Sequence, residues 1–175
     1  MAALTRFVGE GAVEHAARVR SRIRWQSQLA VEEGTWVGLL CELAETQATT
    51  LIDTSIGRRL RGSITAVGSD FVTLTTTTGG QILLAIAAIS AVQLSPGQSA
   101  NTGRVPATDR TTLSELLGEL AIDRPVLTWH LTDRTSTTGQ LIGVGRGFAQ
   151  LRLAGTPPPT SYVPIGDRTM VALDG

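Results

Sequence analysis

The sequence predicts a mainly β fold with short helices: two tandem five-stranded small barrels, each preceded by a short helix, with one more helix at the N-terminus. Three observations predict it. The chain repeats itself at a spacing of 77 residues. Within each repeat, short apolar runs alternate with period two and are punctuated by glycine. Each repeat opens on apolar residues at helical spacing.

The repeat is gapless over its first part. Sliding the sequence by 77 positions lays Thr35 to Leu74 on Thr112 to Leu151, with 11 of 40 pairs identical. Common residues at their usual frequencies would give roughly three. The identities include Leu39, Leu40, Leu43 and Ala44 on Leu116, Leu117, Leu120 and Ala121, then Gly62, Val67, Gly68, Phe71 and Leu74 on Gly139, Val144, Gly145, Phe148 and Leu151. A two-residue insertion in the Pro157 to Pro159 run then brings Ile86, Val92 and Leu94 onto Ile165, Val171 and Leu173. Self-similarity on this scale marks a repeated structural unit.

The leading helices follow from Trp36, Leu39, Leu40, Leu43 and from Leu113, Leu116, Leu117, Leu120, both at i, i+3, i+4, i+7. Thr35 and Thr112 stand as N-caps, and Thr112 with Glu115 makes a capping-box pattern. Five strands follow in each unit. In the first they are ATTLIDT, RLRGSITAV, FVTLTT, QILLAIA and SAVQL; in the second VLTWHLT, TTGQLIGV, FAQLRL, SYVPI and TMVAL. Their spacing and glycine punctuation argue for small barrels, not a βαβ sheet. Gly62 and Gly139, inside the second strands, are expected to permit the bend a small barrel needs.

Ahead of the repeats, Glu10 to Glu33 reads as a helix. At 100° per residue, Ala16, Val19, Ile23 and Ala30 form an apolar stripe, with Arg18 and Arg22 on one side and Arg20 and Arg24 on the other. Ser95 to Arg110 has turn residues and no apolar periodicity, and reads as a linker. The expected organisation is an arm over 1–34, a first unit over 35–94, a linker over 95–111 and a second unit over 112–175.

Composition narrows the classes of function. Of 175 residues, 42% are apolar and 17% charged, which excludes general disorder. All 15 basic residues are arginine, and they balance 15 acidic ones. By segment the arm carries +5 and −4, residues 35–98 +3 and −4, 99–111 +2 and −1, and 112–175 +5 and −6. A broadly basic nucleic-acid surface is therefore excluded, and any polyanion site must be local. The single cysteine, Cys41, builds no intramolecular disulfide, and MAALTRFVGE lacks a signal-peptide pattern. The apolar run Ile82 to Leu94 is too short to span a bilayer as a helix. The expected setting is cytoplasmic, without membrane contact.

Arg58, Arg59 and Arg61 are the candidate polyanion or RNA site, since three guanidiniums within four residues can fork onto phosphates. Their repeat equivalents are Thr135, Ser136 and Thr138, so the fold itself does not require them. Phe7 and Trp25, off the main stripe of the arm, are candidate partner contacts. No catalytic, cofactor or metal site emerges. His130 falls on a strand face away from Trp129, and Cys41 has no partner constellation. Gly143 to Gly147 joins two strands and opens no helix, unlike a dinucleotide fingerprint. The expected function is a non-enzymatic binding or assembly module without a small-molecule substrate. Protein contact or self-assembly through strand edges stands first, and RNA binding by the arginine cluster second.

A helix followed by five strands, with Leu60-Arg61-Gly62-Ser63-Ile64 running on to Leu74 and Ala88-Ile89-Ser90-Ala91-Val92 leading the fifth strand, resembles the Sm-like superfamily of SH3-like small barrels. The particular echo is of the bacterial RNA chaperone Hfq, matched in the second unit only through Gly139, Leu141 and the apolar positions that follow. The two-repeat layout is also similar to uncharacterised proteins of high-GC Gram-positive bacteria. The resemblance implies oligomers closed by strand pairing, with RNA at a basic pore. The Lys-His pair that precedes Ala-Ile-Ser in Hfq is replaced here by Ile86-Ala87, and the aspartate ending the second strand by Gly68 and Gly145. The RNA-contacting positions do not carry over.

Overall fold

The computed structural model describes residues 35–100 and 110–173. The N-terminal arm, with Phe7, Trp25 and the arginines from Arg18 to Arg24, lies outside the described residues, as does most of the linker.

Helix α1 spans Trp36–Thr46 and α2 spans Leu113–Asp123. Both caps form as the sequence predicts. Gly38 donates its N–H to Thr35 Oγ1 at 3.0 Å, and Thr112 and Glu115 satisfy each other in a full capping box. Gln47 and Arg124, both left-handed, end the helices. The buried face of α1 is centred on Leu40, Cys41 and Leu43, while Trp36 remains 41% exposed. In α2, Leu113 and Leu117 are buried and Leu116 and Leu120 partly so.

The strands are β1 (Thr49–Thr54), β2 (Arg59–Val67), β3 (Phe71–Thr76), β4 (Gln81–Ala85) and β5 (Ile89–Leu94), then β6 (Val126–His130), β7 (Ser136–Gly145), β8 (Phe148–Arg152), β9 (Thr160–Pro164) and β10 (Met170–Leu173). The expected strand QILLAIA is shorter than its apolar run: Ile86–Ala88 turn into a 3₁₀ helix before β5. All pairs are antiparallel, and the ten strands make one sheet in the order β5-β1-β2-β3-β4-β10-β6-β7-β8-β9. Among the described residues that sheet is not closed, and it has two ends, β5 and β9. Helix α1 packs on β2 and α2 on β7.

The halves repeat each other in detail. Each runs fifth-first-second-third-fourth strand. The register slips between Ile64 and Ala66 in β2 and between Leu141 and Gly143 in β7, at the same offset of 77. The bulge, three residues past Gly62 and Gly139, marks the irregularity in each second strand. The glycines answer a different demand, close approach. A Cβ on Gly62 would overlap the Thr75 carbonyl, and one on Gly139 would stand 2.8 Å from the Arg152 carbonyl oxygen.

What joins the halves is the β4·β10 ladder, Gln81↔Leu173 through Leu84↔Met170, extended by the Ala85 N–H donating to the Thr169 carbonyl at 2.9 Å. Its insertion explains the continuous apolar run of β4. With neighbours on both edges, Ile82, Leu83, Leu84 and Ala85 are all buried. One contiguous core results, running from Leu40, Ile52 and Ile64 through Leu84 and Val171 to Trp129, Leu141 and Leu151. The turn between β2 and β3 also grips the second half. Ser69 donates from N and Oγ to the Thr111 carbonyl, and Asp70 Oδ1 accepts from Leu113 N at 2.7 Å.

Candidate assembly edges

In an antiparallel pair, a residue turns both its N–H and its C=O to the same side, so ladder bonds fix which residues of an edge strand face outward. Ile165 donates to the Gly147 carbonyl and Leu153 to the Pro159 carbonyl. In that phase Ser161 and Val163 bond to β8. Thr160, Tyr162 and Pro164 are left facing away from the sheet. At the other end, Thr54 donates to the Arg58 carbonyl, which places Thr50 and Ile52 toward β2 and Leu51 and Asp53 toward β5. Ala91 and Gln93 then bond to β1, and Val92 and Leu94 face out, up to a bulge at Ser90.

The internal junction supplies the comparison. Leu83 and Val171 pair directly across it and are 3% and 0% exposed. Their repeat equivalents are Tyr162 and Val92. Tyr162 is 64% exposed and stacks edge-on against Phe148, itself 40% exposed, with ring centroids 5.8 Å apart. Val92 is partly exposed. Two edges of matching phase thus end the sheet, and one carries an exposed aromatic pair.

The three arginines of the expected polyanion site have different surroundings. Asp53 and Arg59 are directly opposite in the β1·β2 ladder, and the Arg59 guanidinium forks onto the carboxylate at 2.6 and 3.3 Å. Gln93 Nε2 adds a third donor at 3.2 Å. The hydrogen bonds from Arg59 hold the Asp53 carboxyl below its ordinary range, and Asp53 raises Arg59. Arg58 sits half-buried in the turn, and Arg61 is exposed beside a cleft of about 200 Å³ with Thr49, Gln93 and Ser95. A cation the repeat comparison overlooked comes from the other half. The Arg134 guanidinium lies against Gly57, 3.3 Å from where a Cβ would stand, next to Arg58 in the chain. The Asp53–Arg59 pair was readable from the hairpin register; the approach of Arg134 depends on how the halves join.

His130 is half-buried in β6, opposite Ser136 and Met170, and lines a cleft of about 300 Å³ with Trp129, Thr132, Pro164 and Arg168. It is less superficial than its alternation suggests, because β10 flanks it. Cys41 is buried on the inner face of α1, and burial, with the nearby Glu45 charge, pushes its thiol pKa up, away from nucleophilic character. Among the described residues no group of His, Cys, Asp or Glu is arranged to hold a metal ion, and no helix is long and apolar enough to cross a membrane. Comparison of the chain with family models, curated proteins and solved structures finds no match.

Proposed function

We propose that the protein is a non-enzymatic assembly module, a duplicated Sm-like pair of small barrels whose copies join head to tail by strand addition. In this reading β9 of one copy pairs with β5 of the next in the register of β4·β10, setting Thr160 against Leu94 and Tyr162 against Val92, with Pro164 at the bulge around Ser90. The observation that carries the reading is the internal junction: the same chain already joins a fourth strand to a fifth strand, and the free edges at β9 and β5 have the phase of that joint. An unpaired edge is a template for another chain, and burying the Tyr162 and Phe148 rings adds apolar area. Pairing of unlike edges is heterologous, so copies form a closed ring or an open array according to the rotation per copy. Pro164 has no N–H, whereas its equivalent Ala85 donates across the internal joint. The joint between copies is therefore one hydrogen bond short, which suits a reversible assembly.

Sedimentation of the purified protein tests this. Species larger than one copy are expected at micromolar concentration. Val92→Pro removes one outward N–H without touching the bonds to β1, and should return the protein to single copies with its thermal unfolding unchanged. A strict single-copy protein, or assembly indifferent to both Val92→Pro and Tyr162→Asp, would overturn the reading.

A further inference from the structure

The two halves finish the same end differently. In the first, Ile56, in the turn between β1 and β2, is buried together with Ala88 and Ile89 at the entry to β5, and the Ser55 N–H fastens the turn to the Ala88 carbonyl at 2.8 Å. The turn between β6 and β7 repeats the backbone of the first. Leu131 donates to the Thr135 carbonyl as Thr54 does to that of Arg58, Arg134 donates to the Leu131 carbonyl as Gly57 does to that of Thr54, and Gly57 and Arg134 are both left-handed. The side chains are what change: Ile56, Ala88 and Ile89 have as their equivalents Asp133, Asp167 and Arg168, all exposed. Asp133 turns onto its own loop, where its carboxylate accepts from Thr135 N and Oγ1 at 2.9 and 2.6 Å. Among the described residues no hydrogen bond joins Thr132 to Asp167, and the cleft of about 300 Å³ opens beside them.

We propose that this cleft binds a free amino acid with a branched apolar side chain. Trp129, Leu131 and Pro164 give it an apolar lining, and Asp167 and Arg168 bring one carboxylate and one guanidinium to it. Opposite charges on adjacent residues match the ammonium and the carboxylate of a zwitterion, whereas a ligand with a single charge would meet one attractive and one repulsive partner. A branched apolar side chain is also what the first half seats at this end, through Ile56. Small-molecule pockets begin at ~300 Å³, so the space suits a ligand of amino-acid size and not a nucleotide or a lipid. Asp167 and Arg168 are exposed, so their contribution is modest and the expected dissociation constant is on the order of 1 mM. This inference is independent of pairing between copies.

Titration of the full chain with leucine, followed by amide NMR, tests it. Saturable shifts are expected at Trp129, Leu131 and residues 166–169. 4-Methylpentanoate, which lacks the ammonium, and 3-methylbutylamine, which lacks the carboxylate, should each bind roughly tenfold more weakly. Arg168→Gln should weaken leucine by a similar factor with thermal unfolding unchanged. Asp133→Ile, which gives the second turn the apolar residue of the first, should abolish the shifts without lowering the melting temperature. No saturable shift at the cleft, equal binding of leucine and 4-methylpentanoate, or leucine binding unchanged by either variant would overturn the proposal.

Discussion

Asp70 Oδ1 accepts the backbone N–H of Leu113, 43 residues further along the chain, at 2.7 Å. Leu113 is the first residue of α2, and its N–H has no partner within the helix. Thr112 and Glu115 satisfy two neighbouring groups locally, and Asp70 completes the cap from the other half of the molecule. Its carboxylate also faces the positive end of the helix dipole. The joint between the halves is therefore partly a capping interaction. Asp70→Ala should lower stability by about 1 kcal/mol, or ~3 °C in the melting temperature of a chain this size, measured by calorimetry. Asp70→Asn, which keeps an accepting oxygen, should recover most of the loss. Equal melting of all three proteins would show that the cap contributes nothing.

Gly62 and Gly139 occupy equivalent places but tolerate a side chain unequally. At Gly62 an added Cβ would collide with the backbone of Thr75 and Thr76, atoms that cannot move without pulling the β2·β3 ladder apart. At Gly139 the nearest atoms are the Arg152 carbonyl oxygen at 2.8 Å and the end of the Leu153 side chain at 2.9 Å, and the latter can rotate. Gly62→Ala should cost about 1–3 kcal/mol in denaturant unfolding, and Gly139→Ala distinctly less. The reverse ranking would contradict the close-approach account.

The Asp53–Arg59 pair predicts a pH dependence. Because Arg59 holds the Asp53 pKa below the ordinary 3.8 in the folded protein, the contribution of the pair is complete above the unfolded aspartate value. It is lost as the pH falls through the lower folded-state value. Arg59, raised further, stays charged throughout. Parent and Asp53→Asn should therefore differ in stability at neutral pH and converge in acid, with the neutral difference shrinking in salt because the pair is exposed. Unfolding curves that keep a constant separation from neutral pH into acid would refute this.

Much of the fold was legible in the residues. Strands β2 and β3 match the segments read from alternation, because a half-buried strand needs apolar side chains every second position. The Thr35 and Thr112 caps were equally readable, since a capping box closes within four residues. One feature misled. The apolar run from Ile82 to Ala87 reads as one strand, but both faces of β4 are buried, so apolarity continues past Ala85 into a 3₁₀ turn that periodicity cannot separate from it. The arginine cluster was legible as residues, while the partner of one of them was set by ladder register: the four-residue turn from β1 to β2 places Asp53 opposite Arg59.

The candidate edges were legible only in kind. Alternation announces that strands exist and that two of them will end a sheet, but every backbone offers the same donors and acceptors, so local pattern cannot say which edge meets which. The sequence by itself determined the repeated unit, its helix caps and the positions of its strands, all of which depend on neighbours a few residues apart. Only the tertiary structure decided that β4 and β10 join, that Asp70 caps Leu113, and that β5 and β9 remain as the ends. Those outcomes bring together residues more than forty positions apart, where the choice among edges is settled by buried area and bond phase across the whole sheet.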